Sequence, residues 1–280
     1  MQDCREIEPG IHQLTIGREP FKGFPPPNAY LVHGSDAAVL IDAGWDDPQD
    51  HEARLAYLRD IAAPPLSELI ITHRHPDHGG GALHIHAGTG VPMGCHPADR
   101  EAIERDRFAG KAQVTHELHG GEVRDLGGMT LHVLFAPGHT MGCLAVYVPE
   151  RGVLFTTDTV MAVSTTVVRP GEGSLTDYAK TLAMFQTLDL KVMYPGHGGP
   201  ITDPHGRLQS LVAHRKRREE ELVEALRKGP QTVTDLRKSI YTGLPESRER
   251  LADDQVTTGL HKLMDDGVVT KDDDSTYSLR

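Results

Sequence analysis

The sequence predicts an α/β fold of buried strands and helices, followed by a smaller helical unit that ends in a hairpin. Three observations carry this expectation. Short apolar runs alternate with helical stretches through about residue 205. Four of those runs end in a breaker or polar turn that delivers a ligand-type residue. After Asp203-Pro204 the texture turns helical and stays so until two short β-rich runs close the chain. Residues 1–205 are therefore read as one domain and residues 206–280 as a second, a division that suits 280 residues.

The predicted strands are Ala29–Val32, Ala38–Ile41, Leu69–Ile71, Met129–Ala136, Cys143–Val148 and Val153–Thr157, each apolar and bounded by turn residues. The predicted helices of this part are Pro48–Ile61, Gly79–Ala87, Pro97–Phe108 and Leu175–Leu188, the last capped by Ser174 or Thr176. Phe24-Pro25-Pro26-Pro27-Asn28 is too short for a linker and reads as a rigid loop leading into a strand at the mouth of a cleft. The arrangement is compatible with two sheets flanked by helices.

In the second part, Leu208, Leu211, Val212, Leu222, Val223 and Leu226 mark one face of a long helix. Its middle carries Arg215-Lys216-Arg217-Arg218 and Glu219-Glu220-Glu221, with Arg215/Glu219 and Lys216/Glu220 at i,i+4, so a solvated charged face is expected. Gly229-Pro230 stops it. A short helix over Thr232–Tyr241 and a longer one over Glu246–Asp266 follow, the latter with Leu251, Val256, Leu260, Leu263 and Met264 at core spacing. Val268–Lys271 and Thr276–Leu279 form the hairpin. This is winged-helix order. Its charges oppose duplex DNA, because Asp253, Asp254, Asp265 and Asp266 lie on the would-be recognition helix and Asp272-Asp273-Asp274 at the wing tip.

The densest chemistry is Thr72-His73-Arg74-His75-Pro76-Asp77-His78-Gly79-Gly80, directly after Leu69-Ile70-Ile71. Nitrogen and oxygen donors at that density are what a zinc-type cation selects. On an extended stretch His73 and His75 project to the same side, whereas Asp77 and His78 sit in the following turn and can face a second centre. Further ligand types arrive at other strand ends: His139 in Pro137-Gly138-His139-Thr140, Asp158 after Val153–Thr157, and His197 in Pro195-Gly196-His197-Gly198. A lone histidine such as His12, His33 or His132 reads instead as a strand or surface residue.

The motifs His-x-His-x-Asp-His, Gly-His-Thr, a lone Asp after a strand and Pro-Gly-His-Gly, in that order, resemble the metallo-β-lactamase superfamily in its hydrolytic, two-metal form. The resemblance implies an αββα sandwich with a small winged-helix-like α+β domain behind it. It also implies a first metal held by His73, His75 and His139, a second held by Asp77, His78 and His197, and Asp158 bridging both. Asp42, ending Val39–Ile41, resembles the family's buried Asp that orients a ligand, with an ordinary turn Asp as the alternative. Two zinc ions are implied, with manganese or iron as the other candidates. Two cations roughly 3.5–4 Å apart share a hydroxide whose pKa falls to about 7, and Asp77 is the expected acceptor of its proton. No serine or cysteine nucleophile is needed, since Ser164 lacks the Gly-x-Ser-x-Gly elbow and neither Cys95 nor Cys143 has a motif partner.

Within the superfamily the arrangement most resembles the β-lactamase-like protein 2 family. Ser164-Thr165-Thr166-Val167, Tyr194–Gly198 and His214-Arg215 add to the match. Members of that family include endoribonucleases of single-stranded RNA and fungal thioesterases that release polyketides from a carrier protein. Charge separates the two readings. Residues 1–205 hold 15 basic and 26 acidic residues, whereas residues 206–280 hold 14 of each, so the whole −11 falls on the first part. Long-range repulsion then disfavours a polyanion, and a small-molecule or carrier-bound ester or thioester is preferred over RNA. A β-lactamase, a lactonase, a glyoxalase II-like thioesterase, an iron dioxygenase and an inert binding module rank lower. Resistance β-lactamases generally lack the bridging Asp, and an inert fold has no use for all seven ligands.

Three cysteines without Cys-x-x-Cys spacing fit a reducing compartment. No signal peptide is expected from Met1–Glu6, and no run approaches the ~18 apolar residues of a membrane span. The expectation is a cytoplasmic protein that avoids membranes, with a homodimer through the C-terminal helices compatible with the pattern.

Overall fold

The computed structural model describes residues 2–280. They form two compact units, and the division is not a single cut. Unit one comprises residues up to Ala136, Gly142–Ser164 and Leu188–Pro204, and unit two comprises Pro137–Met141, Thr165–Thr187 and His205–Arg280. The two inserted segments join unit two because they bond to its helices. Val168 O accepts from Thr258 Oγ1 (2.9 Å) and Gln255 Nε2 (3.1 Å), and Thr176 Oγ1 donates to Asp265. A boundary near residue 205 misses these loops, since nothing in their composition marks tertiary partners so distant in sequence.

Unit one holds two sheets. The first runs in sequence order through β1 (Gln2–Glu8), β2 (Ile11–Ile16), β3 (Asn28–His33), β4 (Ala38–Ile41), β5 (Leu66–Ile70), β6 (Met93–Cys95) and β7 (His116–Glu117). Its first four strands are antiparallel and the later pairs parallel. The second contains β8 (Val123–Asp125), β9 (Thr130–Phe135), β10 (Leu144–Val148), β11 (Val153–Thr157) and β12 (Val192–Pro195) in the order 12-11-10-9-8. Strand alternation explains the continuous apolar runs. Tyr30, Val32, Val39, Ile41 and Ile70 meet Leu131, Val133, Val146 and Phe155 between the sheets. Ala29, Leu31, Leu40, Leu69 and Ile71 face the other way, onto residues of the covering helices such as Ala82, Ile85 and Ile103.

Those helices are α1 (Pro48–Asp60), the short turn α2 (Pro76–Gly79), α3 (Ala82–Thr89) and α4 (Pro97–Ala102). Asp47 caps α1 through Gln49 N, with Pro48 in the first turn where its missing N–H costs nothing. The helix expected over Gly79–Ala87 is two pieces, because Gly80 and Gly81 lie against the backbone around Gly44 and break the run. The one expected over Pro97–Phe108 is α-helical only to Ala102 and continues as a wider π turn to Arg107. β1 and β2 carry charged and polar residues between their apolar ones, so they had no apolar run to betray them.

Unit two contains α5 (Leu175–Gln186), α6 (Pro204–Leu226), α7 (Val233–Ile240), α8 (Glu249–Asp265) and the hairpin of β13 (Val269–Lys271) and β14 (Tyr277–Leu279). Ser174, of the two candidates, caps α5 through Asp177 N. Leu222, Leu226, Leu236, Val256, Leu260, Leu263 and Tyr277 form its core. Two residues expected in that face are not buried: Val212 is 41% exposed and Leu251 40%. Among the described residues no helix is long and apolar enough to cross a membrane.

Candidate metal centre

The end of β5 is where the ligand-rich segment leaves the sheet, and Asp42, just past the parallel neighbour β4, anchors it. The Asp42 carboxylate accepts from Thr72 N and Thr72 Oγ1, both at 2.8 Å, and from His78 Nδ1 at 2.7 Å. Asp42 does this from a left-handed backbone, φ 64°, which costs an L-residue on the order of 1 kcal/mol and persists only where its surroundings fix it. Thr72 Oγ1, having given its hydrogen to Asp42, accepts from His73 Nδ1 at 3.1 Å. Neither Thr72 nor its role carried any signal in the sequence, since a threonine at a strand end is commonplace.

His75 precedes α2, and Asp77 and His78 lie on its single turn. His73, Asp77 and His78 are buried and His75 half-buried. Asp158 follows Thr157, another left-handed residue (φ 45°), at the end of β11. His197 follows β12, where Asn28 and Tyr30 of β3 clamp the loop: Asn28 Nδ2 donates to Pro195 O and Gly198 O, and Tyr30 Oη to Pro195 O. The proline-rich loop adds Pro25 O, which accepts from His197 Nδ1 at 2.8 Å, and the Phe24 ring, 4.9 Å from the imidazole. Gly196 has to be glycine, because a Cβ there would lie 2.3 Å from Asp158 Oδ1 and 2.7 Å from His78 Cε1.

These bonds fix tautomers. Carboxylate and carbonyl oxygens only accept, so Nδ1 is the protonated nitrogen of His78 and His197 in their neutral forms and Nε2 carries the lone pair. His78 Nε2 then faces Asp158 Oδ1 at 3.3 Å. His197 Nε2 faces Asp77 Oδ2 at 3.3 Å and Asp158 Oδ1 at 3.6 Å. A lone pair against a carboxylate oxygen is repulsive unless something positive lies between them. His78 Nε2 is buried with that carboxylate beside it.

At this sheet edge three sets of ligand atoms lie close enough to share an ion, including His73, His75 and Asp158; Asp77, His78 and His197; and Asp42, His73 and His78, each within 4.8 Å. The geometry thus draws six of the sequence-predicted residues and Asp42 together. His139 belongs to unit two, where it is buried and its Nδ1 likewise donates to a carbonyl oxygen, Val167 O at 2.7 Å. The nitrogen and carboxylate donors suit zinc and its first-row neighbours.

The electrostatics agree with a site short of positive charge. Burial disfavours a charged His78, yet the Asp158 and Asp42 carboxylates outweigh it and hold the imidazole well above its ordinary pKa. Burial pushes Asp158 up, and the His78 and His197 imidazoles more than reverse it, leaving Asp158 well below the ordinary carboxylate range. His197 is raised, because Asp158 overcomes the burial that lowers it. Asp77 is lowered against its own burial by the hydrogen bond from His197 and the charge of His78. Protons fill this need until a dication displaces them.

Other histidine groups are less suited. His12 Nδ1 pairs with Tyr57 Oη and its Nε2 lies 3.3 Å from His33 Nε2, a local contact between strands.

Residues 23–197 match the family described as the Metallo-beta-lactamase superfamily. A "Beta-lactamase-like protein 2 homolog" of Caenorhabditis elegans is 28% identical over 243 residues, covering 86% of this chain and 80% of the relative. An "Atrochrysone carboxyl ACP thioesterase" of Aspergillus chevalieri is 27% identical over 264 residues, 90% of this chain and 80% of the relative. Among solved structures, a metallo-beta-lactamase family protein of Thermus thermophilus superposes with a TM-score of 0.79 at 25% identity, covering 98% of this chain and all of that one. A beta-lactamase domain protein of Burkholderia ambifaria gives 0.84 at 21% identity, covering 99% and 94%.

Proposed function

This chain belongs to the metallo-β-lactamase superfamily, and from that premise we propose that it is a dinuclear metal-dependent hydrolase of ester or thioester substrates, including acyl groups on a carrier protein. His73, His75 and His139 would hold the first metal, and Asp77, His78 and His197 the second, with Asp158 shared between them. Zinc is the preferred ion, with manganese and iron as alternatives. When bound, such a pair would lower the pKa of water to about 7 and polarise the carbonyl under attack through its oxygen.

The chain's own residues do the rest. Asp42 holds His78 by its Nδ1, and the Pro25 carbonyl holds His197 in the same way, so both imidazoles keep their Nε2 atoms on the site without reorganisation. Asp77, ionised at neutral pH, would accept the proton of the attacking water and pass it to the leaving group. Phe21, which is 62% exposed and stacks on Phe24 at 4.5 Å, offers an apolar lip beside His197 for an acyl chain.

The observation that carries this reading is the pair of Nε2 atoms turned on carboxylate oxygens at 3.3–3.6 Å. The thioesterase relative supports the substrate class, and the acidic character of residues 1–205 supports it against a polyanion. The free cysteines support a reducing, cytoplasmic setting. The test compares an acyl thioester with single-stranded RNA at matched enzyme and zinc. Thioester turnover that stops on chelation and returns with zinc is the expected result. Rapid RNA cleavage without thioester turnover overturns the substrate assignment, and indifference to chelation overturns the mechanism.

A further inference from the structure

On the helical side of unit one, a second group of donors converges that the proposed hydrolysis does not use. Asp46 lies in the loop before α1, His51 in the first turn of α1 and His84 in the first turn of α3. Each offers one ligand atom, and these atoms all lie within 4.8 Å of one another. The backbone holds the three in place. His51 N donates to Asp47 O at 2.9 Å and His84 N to Gly81 O at 3.1 Å, so each imidazole leaves a formed helical turn. Gly81 N donates to Gly44 O at 2.9 Å, which ties the start of α3 to the loop carrying Asp46. Gly88 of α3 packs so closely on α1 that a Cβ there would lie 2.8 Å from Leu55 Cδ1. Donors carried on packed helices are held more precisely than donors on loops.

His51 decides what the group is for. It is 2% exposed, and neither of its ring nitrogens makes a hydrogen bond. Its polar neighbours are the Trp45 backbone, Asp46 Oδ1 at 3.4 Å from Nε2, and the His84 ring, stacked on it at 3.6 Å. Buried ring nitrogens ordinarily have a partner. The 3.4 Å to Asp46 is long for a hydrogen bond. It is close to the separation of two donors each about 2.1 Å from a tetrahedral zinc. Burial and then His84 push His51 below its ordinary pKa, which leaves it the neutral ligand that a metal requires. Arg54 opposes a dication here, and Asp50 and Asp47 oppose Arg54. Asp46 and His84 are exposed, so an ion can enter from solvent through them.

We propose that Asp46, His51 and His84 bind a zinc-type dication that clamps α1 to α3, with water completing its coordination. Three donors against seven make this the weaker site, so protein freed of excess zinc keeps only the ions of the sheet edge. The proposal does not rest on the hydrolase reading, and either can fail alone.

The probe is zinc, brought to equilibrium with the tag-free full chain by dialysis and counted by elemental analysis, while NMR follows the histidine rings. As zinc rises, one ion should bind in step with movement of the His51 and His84 ring signals. Asp46→Ala and His84→Ala should each weaken that step about 100-fold or more, since loss of an outer-shell partner alone costs about 10- to 100-fold. Both positions are on the surface, so the variants fold. Asp158→Ala should leave the step unchanged, which separates it from the sheet edge. The proposal is overturned if the His51 signals stay still as zinc rises, or if either surface variant binds that ion as tightly as the parent.

Discussion

The sheet edge of unit one and helix α6 of unit two both concentrate charge, but they fix it by different means. At the sheet edge, side chains are short and each is held twice, once by a strand end and once by a hydrogen bond such as Asp42 to His78 or Pro25 O to His197. On α6, long arginines choose among local and distant partners. Arg215, expected to pair with Glu219 one turn away, bonds the Thr166 carbonyl instead, while Glu219 takes Lys262. Rigid delivery suits a reaction that demands positions within tenths of an ångström.

The sharpest way to break that contrast is Asp158→Ala, which removes the carboxylate that both Nε2 atoms face. It should cost one of two bound metals and roughly a thousandfold in kcat, the scale of losing one preorganised charge-stabilising group. Elemental analysis alongside single-turnover kinetics reads both. Full metal content with full activity in this variant removes Asp158 from the centre. Next in size is metal itself. Saturating zinc at about 100 times its Kd should stabilise the folded chain by about 2.7 kcal/mol. Calorimetry with and without chelator measures this, and an unchanged transition denies the site any cation. Smaller again is Asp42→Asn. It keeps the shape but sets an NH₂ group against either Thr72 N or the pair Thr72 Oγ1 and His78 Nδ1, which share Oδ2, and should weaken metal affinity about 10- to 100-fold. Chelator competition reports the change. An affinity equal to the parent's returns Asp42 to an ordinary turn residue.

How much of this was legible follows from the same contrast. The ligands were readable because short, chemically distinctive side chains cluster within 73–78 or stand alone after an apolar strand, and strand ends converge by topology. β3–β5 and β9–β11 were readable because residues buried on both faces leave no polar interruption. β1 and β2 were not, since Glu6, His12 and Gln13 break the pattern while the ladder still forms. Thr72, Asn28 and Tyr30 stayed invisible because they act through backbone and carboxylate partners from 30 to 170 residues away in sequence. In the basic run at 215–218, Lys216 and Arg217 are exposed as expected, whereas Arg215 leaves Glu219 for a tertiary acceptor. Helical spacing offers i,i+4 pairs worth a few tenths of a kcal/mol, which is too little to hold a side chain against a tertiary acceptor.

The smallest effect tests whether unit two stands apart energetically from the metal chemistry. Thr232 caps α7 in a reciprocal box, its Oγ1 accepting from Asp235 N while Asp235 accepts from Thr232 N. Thr232→Ala removes a capping acceptor and should cost about 1 kcal/mol. Because α7 belongs to unit two with its own core around Leu236 and Leu260, that cost should appear only in the unfolding of this unit. Hydrogen exchange resolves it: amides of α7 and α8 should exchange roughly fivefold faster, about what 1 kcal/mol predicts, while those of β4 and β5 stay as they were. Zinc content and kcat should match the parent. A variant that instead lost metal in proportion to Asp42→Asn would tie the cap to the sheet edge and erase the distinction between the two regions.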